Sequence, residues 1–201
     1  MRIFLVVISI LLLSSCNTEE KDRILFIGDS HVHKWDLDFY FDNSINENSG
    51  VSGDRIEDVV AKIETIDFDK YDKTFLQIGS NNISSAVSLN QDLNLSIEIL
   101  NVKMVSLVNR IDQEGKELFL SSIIPFRKDY FEEIDGCVNL ELFNAKLSEI
   151  ANANSRVKYI DLANALAEDN CLNEKFLVDN LHLNRDGYQR ISIDVKGSLY
   201  E

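Results

Sequence analysis

The chain has 201 residues, 45% of them hydrophobic, with a formal net charge of −14. That length and apolar content suffice for one domain with a real core and exclude a disordered chain. The charge argues against nucleic acid or anionic lipid as a partner held by electrostatics. A single proline and eight glycines leave no flexible interdomain linker, and no internal repeat is visible.

The N-terminus reads as a targeting segment. Met1-Arg2 is a short basic start, and Ile3 to Leu13 is an apolar run of 11 residues, too short to span a bilayer comfortably. It ends in Leu13-Ser14-Ser15-Cys16, which resembles a bacterial lipoprotein signal. The resemblance implies a signal peptide over 1–15, lipidation of Cys16, a tether over 16–22 and a folded domain over 23–201. The protein is then expected to be exported and held by an N-terminal lipid anchor on the periplasmic or cell-surface side of a membrane. Cys137 and Cys171 remain as an even pair, free to bridge in an oxidising compartment or to stay as two thiols.

Arg23 to Ile27 is an apolar run of the kind buried in a parallel sheet. It runs straight into Gly28-Asp29-Ser30, which puts the serine just past the carboxyl end of the strand. His31 to Asn43 is mixed, an irregular helix or a covering loop, with Trp35, Phe39 and Phe41 expected in the core. Ile45 to Ser49 is a short polar edge strand, followed by the turn Gly50-Val51-Ser52-Gly53. Ile56, Val59, Val60 and Ile63 recur at helical spacing. Thr74 to Gly79 is the next strand, with the turn Gly79-Ser80-Asn81-Asn82. One long helix is expected from Leu89 to Glu114, closed by Gly115. A strand from Glu117 to Ile124 stops at Pro125. A charged, aromatic loop leads to a helix over Val138–Asn152, with Leu142, Ala145, Leu147 and Ile150 inward. The last strand is Val157–Asp161, and a final helix begins near Asn184. Strands alternating with helices predict an α/β fold: a three-layer α/β/α sandwich on a flavodoxin-like, five-stranded parallel sheet.

Such a sheet brings Ser30, Gly53 and Asn81 to one edge, where ligands bind in open α/β folds. A serine hydroxyl needs a base to become a useful nucleophile. His182 is the best candidate, because Asp179 lies three residues earlier and can orient its ring. The backbone N–H groups of Ser30 and Gly53 and the side-chain amide of Asn81 can form an oxyanion hole. Asp29 reads as a structural acid holding the turn. His31 and Asn82 are read as substrate-binding walls. His31 and His33 make a His-x-His pattern, but no third ligand completes a metal set, so neither a metal nor another cofactor is expected.

These blocks together resemble the SGNH hydrolases, the GDSL esterase/lipase family. Ile27-Gly28-Asp29-Ser30, Gly50-Val51-Ser52-Gly53, Gly79-Ser80-Asn81-Asn82 and Asp179-Asn180-Leu181-His182 match its blocks in order. Asn82 stands where the commonest motif has aspartate, which is similar to the platelet-activating-factor acetylhydrolase-like branch. The resemblance implies a serine esterase with Ser30, Asp179 and His182 as catalytic residues. It would act through an acyl-enzyme on a small-molecule or glycan ester, with O-acetyl groups on carbohydrate favoured because no insertion is large enough to form a lid. Rival readings are a lysophospholipase or thioesterase for longer acyl chains, an acyltransferase, and a catalytically idle cell-surface binding protein.

Overall fold

The computed structural model describes residues 21–132 and 136–200. The signal segment, Cys16 and most of the tether lie outside them. No helix among the described residues is long and apolar enough to cross a membrane.

The centre is a five-stranded sheet of β1 (Arg23–Gly28), β2 (Ile45–Asn48), β3 (Lys73–Gln77), β4 (Glu117–Ser121) and β5 (Val157–Ile160). Its order is β2-β1-β3-β4-β5 and every neighbouring pair is parallel. Because side chains alternate across a strand, β1 sends Leu25 and Ile27 to one face and Ile24 and Phe26 to the other. On the first face they meet α3 (Ile56–Ile63), α4 (Ser80–Ser88), α5 (Leu93–Asp112) and α6 (Glu141–Asn152). On the second they meet α1 (Ser30–His33), α2 (Leu37–Tyr40), α7 (Leu162–Leu166) and α8 (Arg185–Leu199). Both faces are therefore covered, as the near-continuous apolar strands require.

Trp35 and Phe41 are buried against Phe26 and Phe75, as expected. Phe39 is not: it is 54% exposed, with the Arg185 guanidinium over its ring. It follows the α2 cap residue Asp36, whose carboxylate accepts the Phe39 N–H and turns that side of the helix outward. Val60, Leu142 and Ala145 also face solvent, and Phe143 takes the inward place beside Leu142. The expected helix over 89–114 is α5, which starts at Leu93 rather than Leu89: Asn90, just past the end of α4, adopts φ +52°, and the Asp92 carboxylate caps α5 through the Leu95 N–H. A small hairpin was not anticipated: β6 (Ala167–Glu168) pairs antiparallel with β7 (Cys171–Leu172). Its turn, Asp169 and Asn170, has positive φ at both positions, the geometry of a tight two-residue hairpin loop. Cys171 is paired with Cys137, their Cα atoms 5.5 Å apart.

Candidate active site

The site is built at the carboxyl edge of the sheet. β1 ends at Gly28, where only glycine fits: a Cβ there would lie 2.4 Å from both the Gln77 carbonyl oxygen and Val32 Cγ2. Strand β3 and helix α1 therefore close on the backbone at that point. The Asp29 carboxylate accepts the His31 N–H and caps α1, so Ser30 opens the helix at the strand tip. Asp29 is 1% exposed, and this burial pushes its carboxyl up to about 6, against the pull of the His31 N–H. Ser80 Oγ lies near enough to steady the ionised form, without reaching hydrogen-bond geometry. The structural reading of Asp29 fits this placement.

The base arrives from the far end of the chain. Val178 N–H donates to the His182 carbonyl, and Leu177 bridges Leu183, so the segment between them is a tight loop. Inside it, Asp179 accepts the backbone N–H groups of Leu181 and His182 at 2.8 and 2.7 Å. Its other oxygen lies 2.7 Å from His182 Nδ1. Some desolvation works against the Asp179 charge, but these hydrogen bonds outweigh it and hold the carboxyl below its usual range. An ionised carboxylate only accepts, so Nδ1 carries the proton and Nε2 has its lone pair free. That Nε2 is 3.2 Å from Ser30 Oγ. The serine thus donates to a base whose tautomer is fixed, although 152 residues of sequence separate the two.

Two further contacts set the register between nucleophile and base, and neither was foreseen. The Tyr188 hydroxyl, on α8, donates to the His31 carbonyl at 2.9 Å. The Asn184 amide caps α8 and also binds the Lys175 and Leu177 carbonyls, anchoring the foot of the loop. Tyr188 looked like one more apolar position of the last helix, and nothing in its spacing marks the hydroxyl.

The candidate oxyanion donors stand after neighbouring strands. Val51 N–H donates to the Gly28 carbonyl, which binds the arm after β2 to the tip of β1. Gly53 follows with φ +91° in open space, a conformation that a side chain would strain. Asn81, on the first turn of α4, donates from Nδ2 to the Asp54 carbonyl at 2.9 Å. This bond fixes the amide plane and leaves its second N–H to donate.

Asn82 and His31 depart from the sequence reading. Asn82 Oδ1 accepts the Ile56 N–H, and Nδ2 donates to Glu57. From a buried position the amide braces α3 with its oxygen and one N–H, rather than lining an open wall. Glu57 is drawn down to about 2: desolvation raises it, but hydrogen bonds from Lys103 and Asn82 prevail. His31 is only 3% exposed, so it is packing behind the site rather than an open wall. Its ring centre is 5.9 Å from that of His182, and burial, with His182 next, lowers its pKa to about 3. It is an uncharged neighbour of the base. His33 points away, its Nδ1 3.0 Å from the Gly50 carbonyl. Among the described residues, no group of three His, Cys, Asp or Glu could hold a metal ion.

The fold has relatives among solved structures. A protein of Streptococcus pneumonia described as a platelet activating factor is 24% identical, with a TM-score of 0.72, covering 92% of this chain and 87% of that one. A GDSL-like lipase of Bacteroides thetaiotaomicron is 17% identical, with a TM-score of 0.72 and coverage of 89% and 88%. An acetylxylan esterase of Geobacillus stearothermophilus is 17% identical, with a TM-score of 0.69 and coverage of 88% and 93%. At these identities the likeness speaks for the fold. No curated protein matches the chain. Residues 26–190 do match the GDSL-like Lipase/Acylhydrolase family. From the strand that delivers Ser30 to the helix that follows His182, the chain belongs to that family, and it is a hydrolase.

Proposed function

We propose that the protein is a serine esterase that removes small acyl groups, above all O-acetyl, from carbohydrate. The observation that carries this is the relay from Asp179 through His182 to Ser30, with contacts of 2.7 and 3.2 Å. In this reading Ser30 Oγ attacks the ester carbonyl while His182 Nε2 takes its proton. The tetrahedral oxyanion is held by the Ser30 and Gly53 N–H groups and by the Asn81 amide. Collapse expels the alcohol, which receives the proton from His182, and leaves an acyl-enzyme. Water, activated by the same histidine, then releases the acid.

Two observations support the small acyl group. The connections around Ser30 are short, with no insertion that could cover a long chain. An acetylxylan esterase is also among the structures that share the fold. The likeness to the platelet activating factor protein fits the Asn82 variant of the third block. Export with a lipid anchor at Cys16, and a Cys137–Cys171 bridge kept oxidised outside the cytoplasm, complete the proposal.

The test is labelling with a fluorophosphonate, mapped by mass spectrometry, together with p-nitrophenyl acetate, octanoate and palmitate. The label is expected on Ser30 and the acetate is expected to be hydrolysed best. A wild-type protein that takes no label and cleaves no ester would defeat the enzyme reading. A strong preference for palmitate would move it to a lipase.

A further inference from the structure

Farther along the same sheet edge is a cavity that the proposed chemistry does not use. It lies between α6 and α7, beyond the carboxyl ends of β4 and β5, with a volume of about 390 Å³. That size is within the usual range for small-ligand sites, roughly 300–1,000 Å³. Its lining is polar in an unusual way. Asn139, Asn144, Asn164 and Asn170 contribute four amides, and Tyr159 and Asp161 stand among them. Among the described residues, no lysine or arginine lines it.

Several of these groups are held in place and still have capacity. Asn144 clamps the Ile123 backbone from both sides, which fixes one wall. Asn139 uses its oxygen on the Glu141 N–H, so its NH₂ can still donate. Asp161 uses one oxygen on the Asn164 N–H while the other can accept. The Tyr159 phenol, raised to about 12 by burial and then by Asp161, stays neutral as a donor and acceptor. Paired donors and acceptors on planar side chains match vicinal hydroxyls. Carboxylates without a cation repel an anionic ligand, and four amide NH₂ groups are wasted on a metal ion.

The space also continues. Asn139 and Asn170 are shared with a second cavity of about 620 Å³ beside Cys137 and Cys171. The two form one trench around the β6–β7 hairpin, whose Leu172 N–H is tied to the Phe126 carbonyl after β4; its second part carries Lys128, outnumbered there by the carboxylates of Glu168, Asp169 and Glu174. From β1 to β5 is three strand steps, about 14 Å at roughly 4.8 Å each. Such a separation suits an oligosaccharide better than a single sugar.

We infer that this trench is a binding subsite for unsubstituted units of a neutral oligosaccharide, engaged while Ser30 works on an ester elsewhere on the same chain. The inference rests on the esterase reading only for that last clause; binding of the glycan stands without it. Titration of the ¹⁵N-labelled Ser30→Ala protein with xylotetraose, followed by NMR, tests the binding directly. Shifts are expected at Asn164 and Asn170, and tetragalacturonate is expected to give none. Asn164→Ala, which removes one or two hydrogen bonds, and Ala145→Leu, which fills part of the cavity, each at an exposed position, should each weaken xylotetraose by about tenfold. Circular dichroism checks that both variants fold. In the active enzyme, KM for acetylated xylo-oligosaccharides should fall with chain length, and the two variants should abolish that fall at unchanged kcat. The site is refuted if xylotetraose does not bind, if it binds the variants equally well, or if tetragalacturonate binds as tightly. Hydrolysis of p-nitrophenyl acetate by the same preparation reports on the esterase reading alone.

Discussion

The proposed catalytic constellation has two halves made in opposite ways. The nucleophile turn, Asp29 to His31, is buried: its residues are 1%, 7% and 3% exposed. It is fixed from outside, by the end of β1, by α1 and by Tyr188 of α8. The loop from Asp179 to His182 is the reverse. Asp179 has 49% of its side chain exposed, and the loop is fixed from inside, by bonds to its own backbone. The two carboxylates record the difference. Burial raises Asp29, while hydrogen bonds lower Asp179 despite some burial. One acid, inside the Gly-Asp-Ser block, keeps a shape. The other, 150 residues on, keeps a charge where an imidazolium forms.

The largest effect belongs to the buried half. Ser30→Ala is expected to lower kcat by roughly 10⁶-fold, as removal of a serine nucleophile does elsewhere. The circular dichroism spectrum should be unchanged, because the turn is held by Asp29 and the helix rather than by the hydroxyl. On the exposed half, Asp179→Asn should cost roughly 10⁴-fold, since an amide can hold the histidine in the wrong tautomer. Its melting temperature should stay close to that of the wild type, because the loop is open to solvent. A large drop in melting temperature would break the contrast and make the tail a structural element. Asn81→Ala tests the donor that bridges to the arm after β2. Loss of one such donor is worth about 2.7–4 kcal/mol in the transition state, a 10²- to 10³-fold fall in kcat. A fall of less than tenfold would remove Asn81 from the oxyanion hole.

The two halves also differ in how openly the sequence announces them. The five strands are apolar runs that end in glycine turns, so the edge carrying Ser30, Gly53 and Asn81 was readable from patterning and crossover rules. The pair Asp179 and His182 was readable because its three-residue spacing closes on itself. What escaped depends on partners distant in sequence. Asn82 is spent on Ile56 and Glu57, neither of which predicts it. Tyr188 reaches His31 through a hydroxyl at an otherwise apolar helical position. Phe39 is turned outward by a cap, and the long helix begins later than expected, at Leu93, because Asn90 sits in the left-handed region. In both cases one local hydrogen bond or dihedral overrides an apolar pattern. The hairpin over Ala167–Leu172 has strands of two residues each, too short for any periodicity to show.

The smallest expected effect on catalysis gives the sharpest test of the contrast. Asp29→Asn keeps the oxygen that accepts the His31 N–H and replaces the ionisable second oxygen with a neutral NH₂. The folded-state pKa is raised from 3.8 to about 6, so the fold favours the protonated acid. That preference stabilises fully below pH 3.8 and is lost as the pH rises through 6. A shift of about two units is worth about 3 kcal/mol. At pH 8 the wild type therefore carries a buried charge that the variant lacks. The variant should be more stable there by up to about 3 kcal/mol, with the gap closing to near zero at pH 4. Denaturant titrations at pH 4, 6 and 8 measure it. A gap that stays constant with pH would mean that Asp29 is not ionised against the cost of burial. A variant less stable at pH 8 would mean that the charge itself holds the turn, and the two carboxylates would then be doing the same job.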